Sequence, residues 1–235
     1  MRRYLLANWK AHKTLGEAEA WLETFARSHR LDPHLQVILA PPVPFLIPLW
    51  RKLQKMNLSN LALAVQDLSP FPPGAYTGAV AAEMVRDFAE YAIIGHSERR
   101  RYFHETHQEI GNKVREAVAA GITPILCLDQ PYARAQLAAI EEEDLPGLLI
   151  GYGPVEAIGI EVPQSFAKAG AAIAAIRGMA PDTPILFGGS INAKNASEYS
   201  ALAGSSGLMV GTASLDAEEF GAIGRTLSGG ASNPG

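Results

Sequence analysis

Short apolar runs alternate with longer amphipathic stretches along the whole chain. Most of these runs are rich in leucine or β-branched residues and are apolar at successive positions, which is typical of parallel strands covered on both faces. They lie at residues 3–7, 37–40, 61–65, 92–95, 124–128, 147–152, 184–187 and 207–210. The pattern therefore predicts parallel strands joined by helices.

The amphipathic stretches carry the start and stop signals of helices. Thr14 and Glu17 have the spacing of a capping box, and Gly121 stands where a helix that includes Ala119 should end. Asp216, Glu218 and Glu219 would place negative charge in a first helical turn, where the helix dipole favours it. All of these helix signals lie outside the predicted strands, as an alternation of strands and helices requires.

Strands in strict alternation with helices over 235 residues favour a closed (β/α)8 barrel, an α/β fold of one domain. An open doubly wound sheet shows the same alternation and stays an alternative, although no G-x-G-x-x-G follows the first strand. We expect the barrel to occupy residues 1–227, and residues 228–235, rich in glycine and serine, to form a flexible C-terminal tail.

Composition narrows the classes of function. A net charge of −4 at pH 7, without clustered lysine and arginine, argues against a nucleic acid partner. The apolar run at residues 4–7 is too short for a signal peptide core or a membrane span, so we expect a cytoplasmic protein without membrane contact. The single cysteine, Cys127, should fill the core. His104 and His107 lack the i, i+4 spacing of a zinc-binding helix, and we expect no metal and no cofactor.

Polar and glycine residues follow the predicted strands at their C-terminal ends, which is where a (β/α)8 barrel carries its chemistry. Asn8 and Lys10 follow the first strand and His96 follows the fourth. Glycine-rich turns at residues 187–190 and 210–214 follow the last two strands. Backbone N–H groups of such turns, placed ahead of helices, suit a phosphate group, although each turn alone could simply be a tight connection.

Two of these residues have competing interpretations. Lys10 is either a surface lysine or a cation aimed into the barrel mouth, and its position favours the second. His96 precedes a helix-like charged segment, so its ring could face helical N–H groups, which would keep it neutral and able to donate a hydrogen bond. A lone histidine is more often structural.

The same residues give the chain a resemblance to the triosephosphate isomerase family. The motifs that carry it run in order through nearly the whole sequence: Ala-Asn-Trp-Lys10, Ala40-Pro-Pro42, Gly74-Ala-Tyr-Thr-Gly78, Ile93-Ile-Gly-His-Ser-Glu-Arg-Arg100, Pro124-Ile-Leu-Cys127, Tyr152, Pro154-Val155, Ala157-Ile-Gly159, Gly188-Gly-Ser190 and Val210-Gly211. The resemblance implies interconversion of glyceraldehyde 3-phosphate and dihydroxyacetone phosphate, a step of glycolysis and gluconeogenesis, or of a related short sugar phosphate.

The resemblance also implies roles for individual residues. Lys10 and Asn8 would steady the enediolate oxygens, His96 would polarise the carbonyl, and Glu98 would support Lys10. Backbone N–H groups would hold the phosphate, at Gly159, Ser190, Gly211 and Thr212. The segment Gly74–Gly78, with Thr77 at its tip, resembles the loop that enters a neighbouring subunit, so a homodimer or homotetramer is implied.

The chain departs from the family at its proton-abstracting glutamate. The family reads Tyr-Glu-Pro-Val-Trp after the sixth strand, and this chain reads Tyr152-Gly153-Pro154-Val155-Glu156. Glycine has no acidic group, and a positioned base typically contributes about 10²- to 10⁴-fold to such a reaction. The resemblance therefore implies an isomerase without its usual base.

Further departures fall in the family's lid. Glu156 replaces the lid tryptophan, Ile160-Glu161 replaces Thr-Gly, and the segment before Pro163 is shorter than in the family. Phe187 replaces a tyrosine whose hydroxyl latches the closed lid. A shortened lid without its latch would exclude water less well.

These departures leave three hypotheses. In the first, the protein is an impaired isomerase, and Glu156 is either a substitute base or a solvated carboxylate. In the second, it is an inactive paralogue that binds a phosphorylated ligand as a sensor or interaction module. In the third, Gly153 is an isolated Glu→Gly exchange in an ordinary enzyme, which the accompanying lid changes argue against.

Overall fold

The computed structural model describes residues 2–29, 32–56, 58–130, 132–154 and 162–228. It contains a closed parallel barrel in which each strand pairs with the next in sequence and β8 pairs with β1. The strands are β1 (Arg3–Asn8), β2 (Leu35–Ala40), β3 (Leu61–Val65), β4 (Tyr91–Ile94), β5 (Thr123–Leu128), β6 (Leu149–Tyr152), β7 (Ile185–Gly188) and β8 (Gly207–Val210). The predicted (β/α)8 barrel is confirmed, and the open sheet is wrong.

Helices cover the outside of the barrel. In the described ranges they are α1 (Leu15–Ser28), α2 (Val43–Leu53), α3 (Ala82–Val85), α4 (Ser97–Tyr102), α5 (His107–Ala119), α6 (Ala133–Leu137), α7 (Phe166–Met179), α8 (Ala196–Ser200) and α9 (Ala217–Ser228). Two 3₁₀ turns, Glu142–Asp144 and Thr212–Leu215, precede β6 and α9. The last helix ends one residue past the predicted domain boundary, and residues 229–235, assigned to the tail, lie outside the described residues.

The helix boundaries follow the predicted signals. Thr14 and Glu17 form a complete capping box at the start of α1. Gly121 has a φ of 77° just after α5, a conformation that other residues adopt only with strain. Asp216 accepts a hydrogen bond from the backbone N–H of Glu219 at the start of α9. Local chemistry therefore fixes these helix ends.

Side chains of the barrel strands alternate between two cores. Cys127 and Met209 belong to the cluster inside the barrel, while Leu128 and Val210 pack in the layer between the sheet and the helices. The alternation follows from the two-residue period of a strand. It fixes which residue past each strand end points into the barrel mouth.

Closure of the barrel depends on Gly207 at the start of β8. Gly207 pairs with Tyr4 of β1, and a Cβ atom at Gly207 would overlap the backbone carbonyl of Tyr4. Only glycine lets the first and last strands approach to this distance. Across the described ranges no helix is long and apolar enough to cross a bilayer.

Candidate functional site

Lys10 lies in a tight turn at the C-terminal end of β1. Its φ is 51°, in the left-handed region, and its backbone N–H donates to Oδ1 of Asn8 over 3.0 Å. An asparagine that bonds to the residue two positions later supports such a turn. Gln66, just past β3, donates from Nε2 to the carbonyl oxygens of Lys10 and Ala40, each over 2.9 Å. The turn is thus held from two strands.

The side chain of Lys10 lies between the start of α4 and the end of β8. Its Nζ lies 2.5 Å from Oε1 of Glu98, at the start of α4. The position of a Cβ on Gly211, after β8, would lie 3.8 Å from Cε of Lys10. The side chains of Lys10 and Glu98 are 29% and 34% exposed, so their ion pair contributes little to stability but sets the orientation of the cation.

His96 caps α4 and is neutral. Its Nδ1 accepts a hydrogen bond from the backbone N–H of Glu98 over 3.2 Å, and the residue is 8% exposed. Burial is the main reason that the pKa of His96 is lowered to about 4; the charge of Glu98 opposes the shift, and the positive charges of Lys10 and Arg100 favour it. The 3.6 Å approach of Nδ1 to Glu98 is therefore not an ion pair. The ring carries its proton on Nε2 and can donate it.

Arg100 joins the ends of β4 and β5. Its Nη1 donates to the carbonyl oxygens of Gly95 and, over 3.1 Å, Cys127. Its Nη2 lies 2.9 Å from Oδ2 of Asp129, which is buried. The guanidinium is fixed at the barrel mouth beside the His96 loop.

The turns after β7 and β8 are neighbours. Gly188 of β7 pairs with Met209 of β8, so Ser190 and Gly211, each two residues further on, end adjacent strands. Ser190 has a φ of 54°, and its carbonyl oxygen accepts from Asn195 over 2.9 Å. Thr212 opens the 3₁₀ turn that follows. Three of the four predicted phosphate-binding residues therefore lie on one side of the mouth, and Gly211 among them is next to Lys10.

Gly153 lies at the end of β6. It is buried, and its N–H donates to the carbonyl of Leu128 over 3.2 Å, which continues the ladder with β5 past the last strand residue. Position 153 follows Leu149 and Gly151 at two-residue intervals, so it lies on the inward face of its strand. Two predicted site residues, Glu156 and Gly159, lie outside the described residues.

Two tyrosines hold the segment that leads from Val162 to α7. The hydroxyl of Tyr199 in α8 donates to the backbone carbonyl oxygen of Gln164 over 2.6 Å. The hydroxyl of Tyr152 donates to Oε1 of the Gln164 side chain over 3.1 Å. Phe187, fully buried, stacks on Tyr199 with ring centroids 5.0 Å apart. Phe187 itself has no hydroxyl, but its ring packs against Tyr199 and so orients the hydroxyl that binds Gln164.

Four charged side chains around α4 and α5 form an ion-pair network in which Lys113 and Glu105 are buried and Arg99 and Asp67 are half-buried. Arg99 and Lys113 each contact both Asp67 and Glu105, with Arg99 and Lys113 at 2.9 Å and 2.6 Å from Asp67. Burial raises the pKa of Asp67, and the charge of Lys113 opposes this shift. The network joins β3, α4 and α5 beneath the loop that carries His96 and Glu98.

Cys127 fills the inner core, as the sequence predicted. It is buried, and burial raises the pKa of its thiol to about 12, so a thiolate does not form at neutral pH. No three His, Cys, Asp or Glu side chains converge as metal ligands within the described part of the chain.

Sequence reasoning missed several residues that the structure brings to the mouth. Gln66 and Asp129 each stand one position past a strand, on the inward face, and Arg100 lies within a recognised motif without a role assigned to it. The sequence signal for Gln66 and Asp129 is a polar residue two positions after an inward apolar one. No comparable signal identifies Gln164 and Tyr199, because they meet through tertiary contacts.

The comparisons with known proteins agree with this geometry. Residues 3–227 match the family described as Triosephosphate isomerase. The triosephosphate isomerase of Thermus thermophilus is 38% identical over 248 residues, covering 94% of this chain and 97% of the relative. Its counterpart from Dehalococcoides mccartyi is 35% identical over 242 residues, covering 94% of each chain.

A third relative extends this match. The triosephosphate isomerase of Xanthomonas oryzae pv. oryzae is 36% identical over 253 residues, covering 97% of this chain and 99% of the relative. All three aligned lengths exceed the 235 residues of this chain, so each alignment includes positions that this chain lacks. The family match spans the barrel from its first strand to its last helix, and the chain belongs to the triosephosphate isomerase family.

Proposed function

We propose that this protein interconverts glyceraldehyde 3-phosphate and dihydroxyacetone phosphate, or isomerises a closely related short sugar phosphate, without a carboxylate at position 153. The observation that carries the proposal is the neutral imidazole of His96 beside the Lys10–Glu98 pair. A neutral N–H donor can polarise a carbonyl, and an adjacent ammonium can stabilise the negative oxygen that forms when a neighbouring carbon loses its proton. This division of roles is a known one, described for this enzyme family.

The turns after β7 and β8 would hold the phosphate of the substrate. The turn with Ser190 follows β7, and the turn with Gly211 and Thr212 follows the adjacent strand β8. Gly211 lies against Lys10. Backbone N–H groups at such turns favour an anion, and a lysine close by adds a positive charge. A phosphate held there would place the short carbon chain of the substrate toward Lys10 and His96.

A coupled isomerase assay on the natural protein and on the Gly153→Glu variant tests the proposal. We expect slow turnover in the natural protein and a rise on the order of 10²-fold or more in the variant, because a carboxylate would then project from the inward face of β6. Absence of turnover in both proteins would contradict the isomerase proposal.

An inactive paralogue that binds a phosphorylated ligand is the second candidate. This candidate is favoured because the chain keeps the glycine-rich turns after β7 and β8, which suit a phosphate, while Gly153 offers no acidic side chain. Titration calorimetry with 2-phosphoglycolate separates the two candidates when it is combined with the assay. Tight binding without turnover of triose phosphates supports the sensor, and measurable turnover supports the isomerase.

The proposed assembly is a homodimer or homotetramer formed through the segment Gly74–Gly78. This segment, including Thr77, is exposed. The ring of Tyr76 within it stacks on the ring of Phe71 with centroids 4.5 Å apart, and Phe71 and Tyr76 are 42% and 45% exposed. Exposed aromatic pairs of this kind are typical of interface anchors. Analytical ultracentrifugation of the natural protein and of Tyr76→Ser tests the proposal. A natural protein that sediments as a monomer would contradict it.

A further inference from the structure

A cup opens at the N-terminal end of the barrel, away from the mouth that carries Lys10 and His96. The cup has a volume of about 450 Å³, which lies in the range of small-molecule sites. We call it the basal cup, and its principal lining residues are Arg2, Tyr4, Tyr91, Thr123, Leu149 and Asp182. These residues stand at or near the start of their strands, whereas the mouth is built from residues that follow strand ends. The basal cup and the mouth are therefore separate places on the molecule.

Three hydroxyl groups face the basal cup from the strands. Tyr91 of β4 belongs to the core cluster inside the barrel, and Tyr4 of β1 packs against the same cluster. Thr123 of β5 pairs with Tyr91 and lies two positions before Ile125, which points inward. The two-residue period of a strand therefore directs all three side chains into the barrel.

The hydroxyl of Tyr91 is unpaired in the part of the chain that the structure describes, although Tyr91 is only 8% exposed. The hydroxyls of Tyr4 and Thr123 likewise have no hydrogen-bond partner among the described residues. Buried phenol groups normally find a partner. Burial raises the pKa of Tyr91 to about 12, so its hydroxyl remains a donor at neutral pH. The basal cup thus has unused hydrogen-bonding capacity on its inner wall.

Arg2 adds a positive charge that a buried amide holds in place. Its Nη2 donates to Oε1 of Gln36, which is 3% exposed. Nε2 of Gln36 donates to the carbonyl oxygens of Val37 over 3.0 Å and Asn60 over 3.1 Å, so the amide itself is fixed. The charge of Arg2 also acts on Tyr91, because it opposes the rise of the Tyr91 pKa. The guanidinium and the phenol hydroxyl therefore lie on the same cup, and a guanidinium offers five N–H donors.

The charges of the basal cup determine which ligand it suits. The guanidinium of Arg2 and the hydroxyl of Tyr91 are donors that match the oxygens of one carboxylate. Asp182 is exposed on the rim and can accept from ligand hydroxyls, and Thr123 can both donate and accept. A second carboxylate on the ligand would meet the like charge of Asp182. The lining therefore fits one carboxylate joined to a hydroxylated chain.

We propose that the basal cup binds a small monocarboxylic acid with several hydroxyl groups, a sugar acid, whose carboxylate contacts Arg2 and Tyr91 and whose hydroxyls contact Thr123 and Asp182. Such a ligand bridges the starts of β1, β4 and β5 and the residues before β7. It does not use the residues of the mouth, so the proposal is independent of the isomerase function proposed above.

Titration calorimetry of the natural protein with D-gluconate and with sorbitol tests the proposal. The two probes share a hydroxylated six-carbon chain and differ at one end, where D-gluconate has a carboxylate and sorbitol a hydroxymethyl group. We expect saturable binding of D-gluconate with a Kd below about 1 mM. Sorbitol should bind more weakly on the order of 10-fold or more, because it offers no charge to Arg2. Absence of D-gluconate binding, or equal binding of both probes, would contradict the proposal.

Four variants locate the bound acid. Arg2→Gln and Tyr91→Phe should each raise the Kd of D-gluconate on the order of 10-fold, because each removes donors to the carboxylate. Both should fold, since Arg2 is exposed and phenylalanine keeps the ring of Tyr91. Tyr132→Phe, which removes an exposed hydroxyl next to α6, is the matched control and should leave the Kd unchanged, as should Lys10→Gln at the mouth. A Kd that rises in Lys10→Gln, or that stays unchanged in both Arg2→Gln and Tyr91→Phe, would overturn the proposal.

Discussion

The backbone N–H of Glu98 donates to Nδ1 of His96 over 3.2 Å, so the imidazole acts as an acceptor on one side and must carry its proton on Nε2. A buried ring in this state resists protonation. The lowered pKa of His96, about 4, arises first from burial and only then from neighbouring charges. The stability of the folded protein should therefore depend on pH in the range where His96 would otherwise take up a proton.

We expect His96 to make the folded state less stable as the pH falls from about 6.5, the pKa in an unfolded chain, toward 4. Between these values the unfolded chain binds the proton more tightly, so the contribution is complete above 6.5 and is lost on acidification. From about pH 7.5 to pH 5 the loss should be about 2 kcal/mol. Urea unfolding of the natural protein and of His96→Gln at both pH values measures it.

The comparison for this prediction is His29, whose pKa is also lowered mainly by burial but which lies outside the barrel mouth, bonded to Asn60. His29→Gln should remove only its own share of the pH dependence. A stability difference between the natural protein and His96→Gln that stays constant with pH would show that His96 titrates normally.

Gln66→Leu should destabilise the turn that presents Lys10. The substitution leaves the carbonyl oxygens of Lys10 and Ala40 without the donor that now bridges them, at a cost of about 1–3 kcal/mol. Binding of 2-phosphoglycolate should weaken as well, because the ammonium loses its fixed orientation. Chemical denaturation and calorimetry measure the two effects. Gln108→Leu, which removes an exposed hydrogen bond on α5, should change neither quantity.

Lys113→Met should be among the most destabilising substitutions in the chain. Lys113 is 3% exposed and contacts both Asp67 and Glu105, so its removal leaves one buried and one half-buried carboxylate with less positive charge. Breaking a buried pair in this way costs about 3–5 kcal/mol. The measurement is the free energy of unfolding in urea. Lys52→Met is the surface counterpart, and loss of its solvent-screened contact with Glu23 should leave the free energy of unfolding almost unchanged.

Two glycine-to-alanine substitutions should have opposite effects. Gly207→Ala forces a methyl group into the backbone of Tyr4 and should destabilise the barrel by about 3 kcal/mol or more. Gly178→Ala, in α7, meets no atom within 4 Å and should stabilise the protein by about 0.5–1 kcal/mol. Thermal and urea unfolding of both variants test the pair. A tolerated Gly207→Ala would mean that β1 and β8 can separate without loss of closure.

The sequence alone determined the order of the elements and the ends of several helices. The short apolar runs identified every strand, and Thr14, Gly121 and Asp216 marked helix boundaries that the structure reproduces. These features depend on neighbours within a few residues, so a linear sequence contains the information. The same reasoning placed Lys10 and His96 at strand ends, because that placement depends only on where strands stop.

The tertiary structure decided which of these residues meet. Glu98 reaches Lys10, 88 residues away in sequence, and Asp129 reaches Arg100 while leaving one oxygen unpaired. Such contacts depend on the register in which the barrel closes and on how deeply each group is buried, and no local pattern encodes either. The low pKa of His96 has the same origin, because burial, its largest cause, exists only once the barrel has formed.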